Sequence, residues 1–264
     1  MNNQNISTQW PFGTTSQVQG ASVIPSVTLV VNRTTSQKGT GWLVSSHHIV
    51  TNEHVIRGHS NPANVMVVFP DGSQFVPNSI VDDNLTDIAA LQFQNAFSNP
   101  ALAICTRNLD IGIQIFAWGH PLGYSGPAPI LSVGYLAGRN LWNPRGLQNP
   151  QQRLILNAAL NPGNSGGPIF PWGETAVCGV AVTKHAPISQ FLLSAIQALS
   201  NNTSGVTFTS SDGQGNTRTF VESQIVAEVL QYFRSMTQVV LGEAIMPCYI
   251  TSFLDTHGIP WSQA

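Results

Sequence analysis

A serine sits among glycines in the run Asn161-Pro-Gly-Asn-Ser165-Gly-Gly-Pro-Ile-Phe. Small neighbours clear space around its hydroxyl and leave backbone N–H groups approachable, as a nucleophile in a tight turn requires. Serine is a weak nucleophile until a neighbouring base takes its proton. The segment Ile49-Val-Thr-Asn-Glu-His54-Val-Ile offers an imidazole directly after an apolar run. That base in turn needs an acid to fix its tautomer. Leu85-Thr-Asp87-Ile-Ala-Ala-Leu supplies one immediately before an apolar strand. Asp82 and Asp83 compete for the role but lie further upstream of that strand.

To bring these side chains together, the chain must fold as many short strands. From Ser22 onward, apolar runs broken by turn residues mark strands at 27–31, 41–45, 49–51, 65–69, 74–76 and 88–93. A second set falls at 113–118, 131–136, 154–157, 168–170, 177–183 and 239–245. Pro70-Asp71-Gly72 is a turn: Pro fixes φ and Gly supplies the left-handed conformation. Strands at this spacing indicate all-β barrels or sandwiches rather than βαβ units. Apolar residues at helical spacing place helices at 187–201 and 222–236, with a hairpin between them, and a last helix begins at Pro247.

The string Gly163-Asn-Ser165-Gly-Gly167 also fits the nucleophile elbow of α/β-hydrolases, which needs a helix directly after the serine. Gly166-Gly167-Pro168 is poor material for one. Composition narrows the field further. Of 264 residues only 8% are charged, against about 25% in ordinary globular domains, and the net charge is -2. Such a surface gives no footing for nucleic acid or an anionic membrane. No apolar run reaches the length of a membrane span, and the N-terminus has no secretory pattern. The three cysteines, Cys105, Cys178 and Cys248, read as small buried hydrophobes rather than a disulfide or zinc framework. A reducing, cytoplasmic setting is therefore expected, with a leader removed from a precursor also compatible.

The order His, Asp, Ser is that of chymotrypsin-like enzymes. Gly39-Thr-Gly-Trp-Leu, Thr-Asn-Glu-His54, Thr86-Asp87-Ile-Ala and Asn161-Pro-Gly-Asn-Ser165-Gly-Gly-Pro together resemble HtrA-type members of the trypsin superfamily. Gly119-His-Pro-Leu-Gly resembles that family's loop in the second barrel, and Val240-Leu-Gly-Glu-Ala-Ile-Met-Pro its final strand. The departures are an insertion at about 187–236 and the lack of a C-terminal peptide-binding (PDZ) domain.

The resemblance implies two six-stranded antiparallel β-barrels with a C-terminal helix and a partly helical insertion. A polar arm over 1–21 precedes a first barrel over 22–104 with His54 and Asp87. A second barrel over 105–259 carries Ser165 and the insertion. The backbone N–H groups of Gly163 and Ser165 are the expected oxyanion hole. Ala159 falls at the base of the primary specificity pocket, where trypsin has an aspartate, so cleavage after small or medium apolar residues is expected. Val182, Thr183 and Lys184 resemble the edge strand that pairs with an extended polypeptide substrate. His185 follows that strand; a surface or structural role is favoured for it too, with a functional one left open. His47, His48, His59, His120 and His257 read as surface or structural. Acyl transfer by such a triad needs neither metal nor organic cofactor. A peptide-binding pseudoprotease and a protease switched on by a partner are the competing readings. The insertion is the element through which a protein activator or oligomer contact would act. Asn164, beside the serine, could not neutralise a buried amine, so activation by a new N-terminus is not expected.

Overall fold

The computed structural model describes residues 22–143, 150–182, 190–211, 217–236 and 241–264. The expected arm over 1–21, the hairpin tip at 212–216, and Thr183, Lys184 and His185 lie outside the described residues.

The first half comprises β1 Val27–Asn32, β2 Gln37–Ser45, β3 His48–Thr51, the one-turn helix α1 Glu53–Ile56, β4 Val65–Val68, β5 Gln74–Phe75, β6 Ser79–Asp83 and β7 Ile88–Gln92. Its strands form one antiparallel sheet in the order β5-β4-β1-β2-β3-β7-β6. This half differs from a closed six-stranded barrel: it has seven strands, and its end strands β5 and β6 are not paired. The chain itself crosses between those ends through Val76-Pro77-Asn78. Pro77 has no N–H to donate to a ladder, while the Asn78 N–H already donates to the Gln92 carbonyl at 2.8 Å. The turn at Pro70-Asp71-Gly72 forms as the sequence implies. Gly72 has φ 86°, and the Asp71 carboxylate accepts from the Ser73 N–H at 2.9 Å and the Ser73 hydroxyl at 2.6 Å.

The second half contains β8 Gln114–Gly119, β9 Ile130–Trp142, β10 Gln151–Ala158, β11 Pro168–Pro171 and β12 Gly179–Val182. After an excursion described below, β15 Leu241–Ile245 joins them. These six strands close into a barrel in the order β10-β15-β12-β11-β8-β9. Helix α4, Pro247–Thr256, follows the last strand and starts, as expected, on its proline.

Alternation along these strands builds three cores. Leu43, Ile49, Ala89 and Leu91 point into the first half. Ile115, Leu154, Ile169 and Ala181 fill the second barrel. The intervening residues Trp42, Val50, Ile88 and Ala90 meet Phe116, Phe170, Val180 and Ile245 in a third core at the seam. Ile250, Phe253 and Leu254 of α4 pack into that seam as well. Burial on both faces explains why runs such as Ile88-Ala-Ala-Leu are continuously apolar instead of alternating. Cys105 and Cys178 are buried as expected, but Cys248 is exposed, because the first turn of α4 presents it outward.

Residues His185–Val239 cluster as a separate unit. It contains α2 Gln190–Asn201, a hairpin of β13 Thr207–Ser211 with β14 Thr217–Val221, and α3 Glu222–Met236. Ile196 of α2 and Ala227 of α3 are buried, whereas Ile225, Val226 and Val229 of α3 are exposed.

The seam core yields a stability expectation. The Phe170 ring is fully buried and stacks on Phe116 with centroids 4.9 Å apart and planes 19° apart. Phe170→Ala should lower unfolding free energy by about 3–5 kcal/mol, read from denaturant midpoints at unchanged m-value.

Candidate active site

His54 lies in α1, the short helix after β3. Its N-cap residue, Asn52, makes no side-chain cap; the Asn52 amide instead donates to the Asp87 carbonyl at 2.8 Å. The Asp87 carboxylate accepts from His54 twice over. The ring Nδ1 lies 2.9 Å from both Oδ1 and Oδ2, and the His54 backbone N–H donates to Oδ1 at 3.0 Å. With Nδ1–H given to the carboxylate, Nε2 is left with its lone pair and can act as a base.

Asp87 sits just before β7 in the left-handed region, at φ 63°. For a residue other than glycine this costs on the order of 1 kcal/mol. Its N–H donates to the Asp83 carbonyl at 2.9 Å, and Asn52 grips its own carbonyl, so both backbone groups of the strained residue are held. The competing carboxylate of Asp83 is used locally: it accepts from the Leu85 N–H at 2.9 Å and the Thr86 hydroxyl at 2.6 Å.

Ser165 lies in a turn between β10 and β11. The Asn164 N–H donates to the Asn161 carbonyl at 3.0 Å, and the Gly167 N–H to the Asn164 carbonyl at 2.9 Å. Two bonds fasten the turn to β12: Gly166 N–H to Ala181 O at 2.9 Å, and Ala181 N–H to Gly167 O at 2.8 Å. Thr40 of β2 then ties the turn to the other half. Its N–H donates to the Ser165 carbonyl at 2.8 Å, and its hydroxyl donates to the Gly163 carbonyl at 2.8 Å. The motif suggests an open hydroxyl, yet Ser165 retains only 4% exposure, because its turn is packed into the seam instead of standing on the surface.

The glycines here are required by space. Gly163 has φ 97°, and a Cβ there would lie 2.3 Å from the His120 carbonyl oxygen. At Gly166, with φ 85°, it would lie 2.1 Å from the Thr40 oxygen. Ala159 is exposed beyond the end of β10, and its carbonyl accepts from the Ser132 hydroxyl at 3.1 Å. Val182, half-buried, ends β12 opposite Glu243. Thr40, Asn52 and Thr51, whose hydroxyl donates to the Thr40 carbonyl at 2.7 Å, had no role in the sequence reading. Thr40 lies within the Gly39-Thr-Gly-Trp-Leu motif, and Thr51 and Asn52 lie within Thr-Asn-Glu-His54, so the motifs marked all three positions without assigning them a role.

The profile of the trypsin-like peptidase domain matches residues 39–180. More than half of the chain is covered, and the chain belongs to this family. A chloroplastic Protease Do-like 1 of Arabidopsis thaliana is 31% identical over 165 residues, covering 61% of this chain and 36% of that protein. The serine endoprotease DegS of Salmonella typhimurium is 35% identical over 133 residues, covering 49% of this chain and 35% of DegS. The chain thus spans about a third of these curated relatives, which carry the HtrA-type likeness read from its motifs. Among solved structures, the active form of the Rv3671c protease from M. tuberculosis superposes with TM-score 0.61 at 17% identity, over 93% of this chain and 86% of that one. At that identity the likeness concerns the fold.

His120, in the loop after β8, is buried, and its Nε2–H donates to the Pro127 carbonyl at 2.9 Å. Burial pushes its pKa below the ordinary histidine value, with the Pro127 bond a smaller opposing effect. The folded protein therefore binds this proton less readily than the unfolded chain, whose histidine titrates near ~6.5. Stability contributed by neutral His120 is complete above that value and is lost as pH falls toward the depressed folded pKa. His120→Gln should flatten this acid-side decline in urea-denaturation free energy between about pH 6.5 and 5.

Proposed function

We propose that this chain is a serine endopeptidase working through an acyl-enzyme, with His54, Asp87 and Ser165 as its triad. The observation that carries the reading is the double grip of the Asp87 carboxylate on the ring and backbone of His54, which leaves Nε2 basic. His54 takes the Ser165 proton as the hydroxyl attacks a peptide carbonyl, and Asp87 stabilises the imidazolium that forms. The proton then passes to the leaving amine, and water releases the acyl group by the same route. The N–H groups of Gly163 and Ser165 receive the developing oxyanion; losing one such donor typically costs about 3–4 kcal/mol of transition-state stabilisation.

An extended polypeptide pairs with the end of β12 at Val182, on the side that the short ladder with β11 leaves open, with Thr183 and Lys184 continuing the contact. Ala159 offers no carboxylate to a cationic side chain, which favours cleavage after small or medium apolar residues. The exposed Ile225, Val226 and Val229 suit the inserted unit to contact with another protein chain. Three cysteines without disulfides fit a reducing compartment. Among the described residues, no helix is long and apolar enough to cross a membrane.

Two experiments test the reading. A fluorophosphonate probe should label the wild type and fail on Ser165→Ala, with His54→Ala losing nearly as much, since the pair acts as a unit. Equal labelling of wild type and Ser165→Ala would remove the triad assignment. In a peptide library, the wild type should cleave after residues such as Val, Ala or Leu, and Ala159→Asp should add weak acceptance of Lys or Arg. A wild-type preference for Lys or Arg would misplace Ala159.

A further inference from the structure

Strand β10 carries an arginine where a barrel strand at a seam has little room for charge. Arg153 retains only 1% exposure. Its Nη2 donates to the Thr86 carbonyl at 2.6 Å, and its guanidinium lies 4.1 Å from the centroid of the Trp142 ring. Two residues earlier on the same face of β10, the Gln151 amide donates to the Thr86 hydroxyl at 2.9 Å. That hydroxyl donates onward to Asp83. Thr86 precedes Asp87, so both contacts from the second barrel land on the left-handed turn that presents the triad carboxylate.

We propose that Arg153 is a positioning residue for Asp87. From β10 it holds the Thr86–Asp87 turn in place, and its buried charge limits how strongly Asp87 stabilises a protonated His54. The inference rests on the triad reading above. Burying a guanidinium is costly, and a plain strut at this position would be better made of hydrocarbon. Desolvation pulls the Arg153 pKa down, and Asp87 is foremost among the charges that oppose this, ahead of Glu243 and Tyr249. The titratable and charged groups facing the pair are Asp87 itself, Asp83 on β6, Glu53 on α1 and Arg57 just after it, Glu243 on β15 and the neutral Tyr249 on α4. Glu53 and Arg57 are bonded to each other, which leaves Arg153 as the buried cation acting on Asp87 from the second barrel.

The sign follows. Without the Arg153 charge, the Asp87 carboxylate attracts a proton on His54 unopposed, and His54 stays protonated, hence idle as a base, to higher pH. The test is the rate of fluorophosphonate labelling of the full chain from about pH 5 to 9, with Ser165→Ala as the blank. Arg153→Met should displace the acid limb upward by about one pH unit. Arg153→Lys should label at least about tenfold more slowly, with its limb unmoved, because a point charge replaces the planar fork. A folded Arg153→Met protein whose limb coincides with the wild type overturns the proposal. If Arg153→Met does not fold, Arg153→Lys decides, and a wild-type rate throughout overturns it. Wild-type protein that labels no better than the blank removes the triad instead, an outcome distinct from either.

Discussion

Thr40 makes four hydrogen bonds, and the placement of Ser165 against the half that carries His54 rests on them. Its N–H and hydroxyl hold the carbonyls of Ser165 and Gly163, its hydroxyl accepts from the His120 N–H at 3.0 Å, and its own carbonyl accepts from Thr51. His54 and Asp87 come from one half of the fold and Ser165 from the other. Their mutual geometry is therefore only as good as the registration of the halves. A displacement of about 1 Å between reacting groups can cost a hundredfold in rate. The seam core supplies attraction between the halves, but burial is non-directional. The directional bonds at Thr40 convert that attraction into a fixed register.

The same division of labour recurs at Asp87. Its left-handed backbone stores strain that the surroundings must hold, and they do so from three directions: Asn52 at the N-cap of α1, Asp83 from β6, and the Thr86 contacts from β10. The backbone that carries the carboxylate is thereby fixed beside His54, and the bonds to the His54 ring and N–H hold the side chain itself. The glycines at 163 and 166 play the complementary part. There the absence of a Cβ lets two loops approach to distances that any other residue would forbid.

His54, Asp87 and Ser165, the residues proposed as a triad, stood out in the sequence because each sits in a contiguous motif whose local chemistry is explicit: a serine among glycines, a histidine after a strand, an acid before one. Most strands were legible from apolar runs and turn residues. What escaped was long-range or backbone-directed. Thr40 reaches Gly163 across 123 positions and Arg153 reaches Thr86 across 67, and both target carbonyls, which every residue possesses. Strand β6 escaped because Ser79-Ile-Val-Asp-Asp has two apolar residues and is partly buried on both faces, so no alternation marks it. The open ends of the first sheet have a related cause: Pro77 marks a break in the ladder, but the sequence does not say which strands pair across it.

The pairing of β12 with β15, in which Val182 lies opposite Glu243, has a thermodynamic corollary. Adjacent strands of an antiparallel barrel need only a short turn between them, yet here the chain runs from 183 to 240 before returning. Topologically the whole inserted unit is one oversized hairpin loop. As flexible chain, that excursion would add about four doublings of loop length, each raising the closure entropy by about 0.6 kcal/mol. A penalty of about 2–3 kcal/mol is within what a domain of this size tolerates, so the barrel can host a folded passenger at this position without altering its strand order.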